Sequence, residues 1–127
     1  MGDTIRIQGQ EADMDVVNAI TAVAYTTSSS EVLSSAIDTT AHPRKKILVV
    51  GNHAADATST GVTMTVKESA SSGGTYAAAT KTGTFGASTS AGSWITQVKR
   101  NPAKPFIKVS FTPAGGSGVI SATVIFY

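Results

Sequence analysis

The sequence predicts an all-β protein: a single domain, built as a sandwich or a jelly roll from about seven or eight short strands. Apolar and polar residues alternate with a period of two in several segments, most clearly over 62–66, 107–111 and 120–126. Segments rich in glycine, serine and proline separate these runs at the short spacing expected of such folds. No segment carries the pattern of a strong amphipathic helix.

The last quarter of the chain has the clearest pattern. One face of each of its two alternating segments is apolar, and a glycine-rich stretch, 113–118, separates them. We therefore predict a β-hairpin whose apolar face needs an opposing layer from the preceding segments. The residues predicted to face the core are Ile107, Val109, Phe111, Ile120, Ala122, Val124 and Phe126.

Earlier segments supply the other predicted strands. They are 19–26, a weaker one at 32–37, 47–51, 62–67, a short edge strand at 76–82, and 93–100. The continuous apolar run from Ile47 to Val50 is typical of a central strand covered on both faces. Trp94 is interpreted as a core side chain. The predicted domain is 19–127.

Residues 1–18 are interpreted as a polar N-terminal arm, because they contain too few apolar side chains to offset their own ordering entropy. We expect the arm to be ordered by partners. Its acidic residues are predicted to contact a basic surface on a partner or on the 99–108 region of a neighbouring copy. The predicted contact residues are Asp3, Glu11, Asp13, Asp15, Lys99, Arg100 and Lys104.

The composition excludes some function classes. The 127 residues include no cysteine, which removes disulfides, thiol nucleophiles and thiolate metal sites. Only 14% of the residues are charged, and the formal net charge is +2, too small to indicate nucleic-acid binding. The basic runs 44–46 and 99–100 lack the interleaved aromatic residues of single-strand binders. No targeting segment or bilayer-length apolar run is present, so we expect a soluble protein with no membrane partner.

Catalytic and metal-binding patterns are also missing. His42, His53 and Asp56 are the three residues that come closest to a metal site, but they lie in a loop context that does not bring three ligands together. The serines lack a nucleophile-elbow pattern, the glycines lack a following phosphate-loop lysine, and the carboxylates are not paired. We predict a protein that is not an enzyme and has no cofactor, metal or small-molecule substrate.

Four stretches together resemble small head-associated structural proteins of tailed bacteriophages. They are Lys46 to Gly51, Val62 to Ser69, Gly73 to Tyr76 and Pro105 to Gly116, and the resemblance covers roughly residues 20–127. In that group a strand ending in a Glu-Ser or similar pair is followed by a glycine turn and an aromatic residue, and a late strand closes the sandwich.

The resemblance implies a virion structural protein that is made in the host cytoplasm and decorates or cements the outer surface of a capsid. Its expected partners are the major capsid protein and copies of itself. The alternative is a receptor- or carbohydrate-binding module of a phage tail or fibre. A glycan site generally needs two or more presented aromatic rings, and the aromatic residues of this sequence are too scattered to predict one.

Overall fold

A computed structural model of the chain describes residues 14–26, 31–55, 59, 61–80 and 92–127. These residues form two antiparallel sheets that enclose one core, which confirms the predicted all-β sandwich. No helix among the described residues has the length and apolar character needed to cross a membrane. The nine strands are β1 (Asp15–Tyr25), β2 (Val32–Leu33), β3 (Ile37–Asp38), β4 (Ile47–Ala55), β5 (Gly61–Ser69), β6 (Ala77–Ala78), β7 (Gly92–Val98), β8 (Phe106–Gly115) and β9 (Gly118–Phe126).

The first sheet has the strand order β1-β9-β4-β7, and the second has the order β2-β8-β5-β6 with β3 also paired to β8. The alternating segments read from the sequence supply the inner faces of both sheets. Every residue predicted to face the core in β8 and β9 is buried, as are Val62, Met64 and Val66 of β5. Burial of these side chains is the main favourable contribution to folding.

The predicted hairpin between β8 and β9 is wrong. Both strands exist where the sequence placed them, but β8 pairs with β5 in the second sheet, whereas β9 pairs with β1 and β4 in the first. The segment around Gly116, whose φ is 78°, therefore carries the chain from one sheet to the other. Facing strands and hydrogen-bonded strands share the same alternation, so the pattern alone did not distinguish them.

The predicted arm is too long at its C-terminal end. β1 begins at Asp15, and residues 15–18 pair with residues 123–126 of β9. Two register shifts follow, and Ala22 within them has a φ of 41°. These bulges change the inward face from Ile20 to Val23 and Tyr25, which interrupts the simple alternation expected for 19–26. Residues 1–13 lie outside the described part of the chain.

Other strands also begin or end at different residues from those predicted. β4 extends to Ala55 where a loop was expected from residue 52, and the weak second strand is two short strands, each of two residues. The short edge strand appears as β6, and Trp94 packs partly buried against the core, as predicted. The outer face of β4 is less covered than expected, because Leu48 and Val50 are only half-buried.

Side chains of the second sheet lie directly against the backbone of β4 at Gly51. A Cβ atom there would overlap the sulfur of Met64, and it would also lie 3.3 Å from the ring of Phe111. Both side chains come from the second sheet and are almost fully buried. Glycine at this position therefore lets large side chains of one sheet reach the backbone of the other.

Substitutions in neighbouring residues of β8 should have very different effects on stability. Phe111→Ala should lower the free energy of unfolding by about 3–5 kcal/mol, because it removes a fully buried ring from the interface between the sheets. Thr112→Ala, on the exposed face, should cost less than about 1 kcal/mol. Urea unfolding measures both, and equal costs would contradict this register.

The start of β1 makes a second stability prediction. A variant beginning at Ala19 should unfold at a lower temperature than one beginning at Met14, because it loses the four cross-strand pairs that residues 15–18 make with β9. Thermal unfolding followed by circular dichroism compares the two variants. Identical melting temperatures would show that these residues contribute nothing to the domain.

Candidate interaction surface

The outer faces of the two sheets differ in chemistry. The first sheet presents an apolar face, defined here as Val16, Leu48, Val50, Ile95 and Ile125. Most of the corresponding positions of β5 and β8 in the second sheet hold threonine, serine or lysine, with Phe106 and Ala114 near the two ends of β8. Scattered exposed apolar residues are normal on a protein surface, but a contiguous patch of them is a candidate interaction site.

The pairing register makes the apolar face contiguous. Ile125 lies opposite both Val16 and Leu48, so these three side chains form one row across β1, β9 and β4. Val50 lies opposite Ile95 in the next row. Val16 is 59% exposed and Ile95 is 66% exposed, so the ends of the two rows are open to solvent.

A cluster of cations, here called the basic end, lies at one end of the first sheet. Its side chains line an open groove of about 540 Å³ where β4 begins and β7 ends. The pairing of Ile47 with Val98 brings the two basic runs of the sequence side by side. The basic end comprises Arg44, Lys45, Lys46, Lys99 and Arg100.

Arg100 has a structural role within the basic end. Its guanidinium donates hydrogen bonds of 2.7 Å to three backbone carbonyl oxygens, those of Thr39, His42 and Lys45. The planar fork of arginine suits such multiple recognition, which a lysine cannot reproduce. Arg100 thereby fixes the loop that presents Arg44 and Lys46.

Asp15 has its partners within the chain. Its Oδ2 lies 2.9 Å from Nδ1 of His42, whose ring N–H donates, and 2.9 Å from Nζ of Lys45. The hydrogen bonds from His42 and Lys45 hold the pKa of Asp15 below its ordinary value. The ring of His42 also stacks on Phe126, with ring centroids 3.9 Å apart. These contacts close one end of the core.

Arg44 has a backbone conformation that is unusual for its residue type. Its φ of 64° lies in the left-handed region, which a residue with a Cβ adopts at a cost of about 1–2 kcal/mol. Glycine or asparagine would relieve the strain. Strained residues of this kind cluster at functional sites, where the side chain contributes something that glycine cannot.

The structure distributes the predicted contact residues over different roles. Asp3, Glu11 and Asp13 lie outside the described residues. Asp15 contacts Lys45 of its own chain instead of the 99–108 region, and Arg100 binds backbone carbonyls. Lys99 and Lys104 are exposed. The proximity of Lys46 to Lys99 could not be predicted from the sequence, because it depends on strand order.

The histidines considered as metal ligands are separated by the length of β4. His42 lies before that strand and binds Asp15, whereas His53 lies near the far end of β4, buried, with its Nε2 2.7 Å from the hydroxyl of Tyr25. Asp56 is outside the described residues. Within the described ranges, no three potential ligands cluster.

Comparisons with known proteins place this fold among solved structures. No protein-family model and no curated protein sequence matches the chain. A chain of the T13 viral particle of infectious bursal disease virus, IBDV, aligns with a TM-score of 0.53 at 10% identity, over 89% of this chain and 30% of that chain. A chain from the IBDV Gx strain gives 0.52 at 8% identity, over 89% and 31%.

A third structure matches over nearly its whole length. The SPBc2 prophage-derived protein YomS aligns with a TM-score of 0.50 at 14% identity, covering 89% of this chain and 91% of that chain. The present chain thus spans about a third of the virus chains but most of YomS. The fold is shared with chains of a virus and with a prophage-derived protein. At these identities the likeness establishes the fold alone.

The contacts of Asp15 predict a pH effect. A carboxylate whose pKa is lowered on folding stabilises the protein above its unfolded pKa, and this stabilisation is lost as the pH falls through the folded pKa. Asp15→Asn should therefore lower the melting temperature at pH 7, and the difference from the unmodified protein should shrink below about pH 4. Calorimetry across this range measures it. A difference independent of pH would mean that the charge of Asp15 is not responsible.

Proposed function

We propose that this chain is a non-enzymatic virion structural protein that binds the outer surface of a phage capsid and decorates or cements it. The observation that carries the proposal is the sandwich itself, which is shared with chains of a virus and with a prophage-derived protein. The sequence resemblance to head-associated phage proteins supports the same role independently of that comparison. The major capsid protein and further copies of this chain are the proposed partners.

The surface of the molecule supports a role carried out by contacts. The core lies between the two sheets, yet the first sheet has two short rows of apolar side chains on its outside. A large apolar patch on the surface is a common feature of protein interfaces. The hydroxyl of Tyr25 forms hydrogen bonds with Nε2 of the buried His53, at 2.7 Å, and with the hydroxyl of Ser59, at 2.9 Å. This network is interpreted as packing at the end of the core.

Among the described residues, the aromatic side chains give no specific support to the alternative of a glycan-binding module. Tyr25 and Trp94 pack with the core, and Tyr76 interacts with Lys108, whose Nζ lies 4.6 Å from the ring centroid. Tyr127 is 44% exposed. Glycan recognition generally uses several exposed aromatic rings. The experiment below therefore includes a tail or fibre module as the alternative outcome.

The proposal is tested on purified virus particles. Capsids and tails separated on a density gradient are compared by quantitative mass spectrometry. We expect the protein in the capsid fraction at a fixed ratio to the major capsid protein, accessible to added protease on the intact particle. Recovery with the tails alone would favour the receptor-binding alternative, and absence from both fractions would refute a virion role.

A further inference from the structure

We infer that the apolar face and the basic end together form one docking surface, and that it binds a protein surface with an apolar patch bordered by carboxylates. The inference rests on the proposed function and adds to it the side of the domain that makes the contact and the chemistry of the partner. Four features of the described residues carry it: the position of the apolar face, its continuity with the lysines, the charge balance and the strain at Arg44.

The apolar face is not needed to complete the core. The inward residues of β4 and β9, such as Val49 and Val124, pack between the sheets, whereas Leu48, Val50 and Ile125 point away from them. Outward positions on a solvated sheet are normally polar, as in the second sheet. An apolar set on the outer side is therefore suited to being covered by another molecule.

The lysines of the basic end continue this same face. The backbone groups of Lys46 and Tyr127 exchange two hydrogen bonds, of 2.7 and 3.0 Å, which extends the pairing beyond Ile47 and Phe126. Since Ile47 points inward, Lys46 points outward with Leu48. Lys99 likewise follows the inward Val98 at the end of β7. The apolar rows are thus bordered by cations at one end.

The charges of this border are unbalanced. Within the described part of the chain, Lys45 is paired with Asp15, but no carboxylate forms an ion pair with Arg44, Lys46 or Lys99. In the second sheet, Lys67 binds Glu31 with an Nζ to Oε2 distance of 2.6 Å, and Lys108 lies over the ring of Tyr76. A partner that supplies carboxylates at the basic end would complete the electrostatic match.

The strain at Arg44 adds support to this site. The backbone there would be more favourable with glycine, so an arginine at this position lowers stability. Arg100 holds the loop that carries Arg44 by its bonds to Thr39, His42 and Lys45. The loop is fixed before any partner binds, which lowers the entropic cost of association.

An acidic protein surface fits the site better than a nucleic acid. Phosphate backbones bind to surfaces that are dominated by cations, and their bases stack on exposed aromatic rings. Here the centre of the surface is aliphatic and the cations lie only at one end. Within the described residues, a single exposed ring, that of Tyr127, lies beside Arg44 and Lys45, whereas single-strand binders stack several bases on successive rings. An apolar centre with a charged border is the usual arrangement of a protein interface.

The test uses the full-length protein and capsids prepared without it, with binding measured by co-sedimentation over a range of salt concentrations. Lys46→Gln with Lys99→Gln should weaken binding at low salt by about tenfold and flatten its salt dependence. The matched control, Lys67→Gln with Lys108→Gln, removes two charges from the second sheet and should bind within about twofold of the unmodified protein.

The apolar part of the surface has its own matched pair. Ile95→Ser on the apolar face should weaken binding by about tenfold, whereas Leu33→Ser, at a 43% exposed position of β2 in the second sheet, should leave it unchanged. Arg44→Gly should unfold at the same or a higher temperature than the unmodified protein, yet bind more weakly. Each variant is first checked by circular dichroism and thermal unfolding.

A second arm separates this inference from the proposed function. The fluorescence of the anionic, apolar dye anilinonaphthalene sulfonate should increase when the dye is added to the native protein. The increase should be smaller with Ile95→Ser or with the Lys46 and Lys99 double variant. It should be the same as for the unmodified protein with both control variants. If the unmodified protein does not bind to capsids, the proposed function is refuted. The dye experiment still tests whether the surface binds anionic apolar groups. Equal dye fluorescence in all variants would overturn the inference.

Three results would refute the docking surface while the proposed function stands. The first is capsid binding by the Ile95 and lysine variants as tight as that of the controls. The second is a dimer in solution that Ile95→Ser converts to a monomer, which would assign the face to self-association. The third is binding of the unmodified protein to a single-stranded DNA oligonucleotide at physiological salt that the double variant abolishes.

Discussion

The structure depends on the packing between the inner faces of β8 and β9, which follow one another in the chain but belong to different sheets. β8 lies at the centre of the second sheet and β9 at the centre of the first, so both sheets are built around this pair. Their alternating apolar residues are almost completely buried, Phe111 and Phe126 among them. One face of each strand packs in the core. The composition of the opposite face differs between the sheets, since several exposed positions of the first sheet are apolar and most of those in the second are polar.

The inner faces of the sandwich could be predicted because the side-chain period of a strand is directly visible in the sequence. The partners of each strand could not. A glycine-rich turn between two alternating segments suits both a hairpin and a crossing between sheets, and only the remaining strands determine which one forms. The same uncertainty affected β1, whose first residues, 15–18, were assigned to the polar arm. Their pairing with β9, and the bulges that reverse the inward face near Ala22, are tertiary effects.

The residue types of the candidate site could be predicted from the sequence, but their arrangement in space could not. The basic runs at 44–46 and 99–100 and the apolar run at 47–50 are all visible in the sequence. Their meeting on one face requires β4 and β7 to be neighbours, with Ile47 opposite Val98. Charge alone also could not separate Arg100, which holds a loop, from Lys99, which is exposed to solvent. The local sequence around these two adjacent residues does not reveal which side chain turns inward.

The core and the proposed docking surface lie on different sides of the first sheet, which places the strain at Arg44 outside the core. The core lies between the sheets and the proposed contacts lie outside the first one, so a residue on the loop before β4 can adopt an unfavourable φ without disturbing the packing. Arg100 supplies the compensation through three hydrogen bonds that come from the end of β7. The loop is thus held by an element of the same sheet that carries the apolar face. A rigid sheet and a fixed loop together present cations and aliphatic side chains at set distances, which is what binding by contacts alone requires.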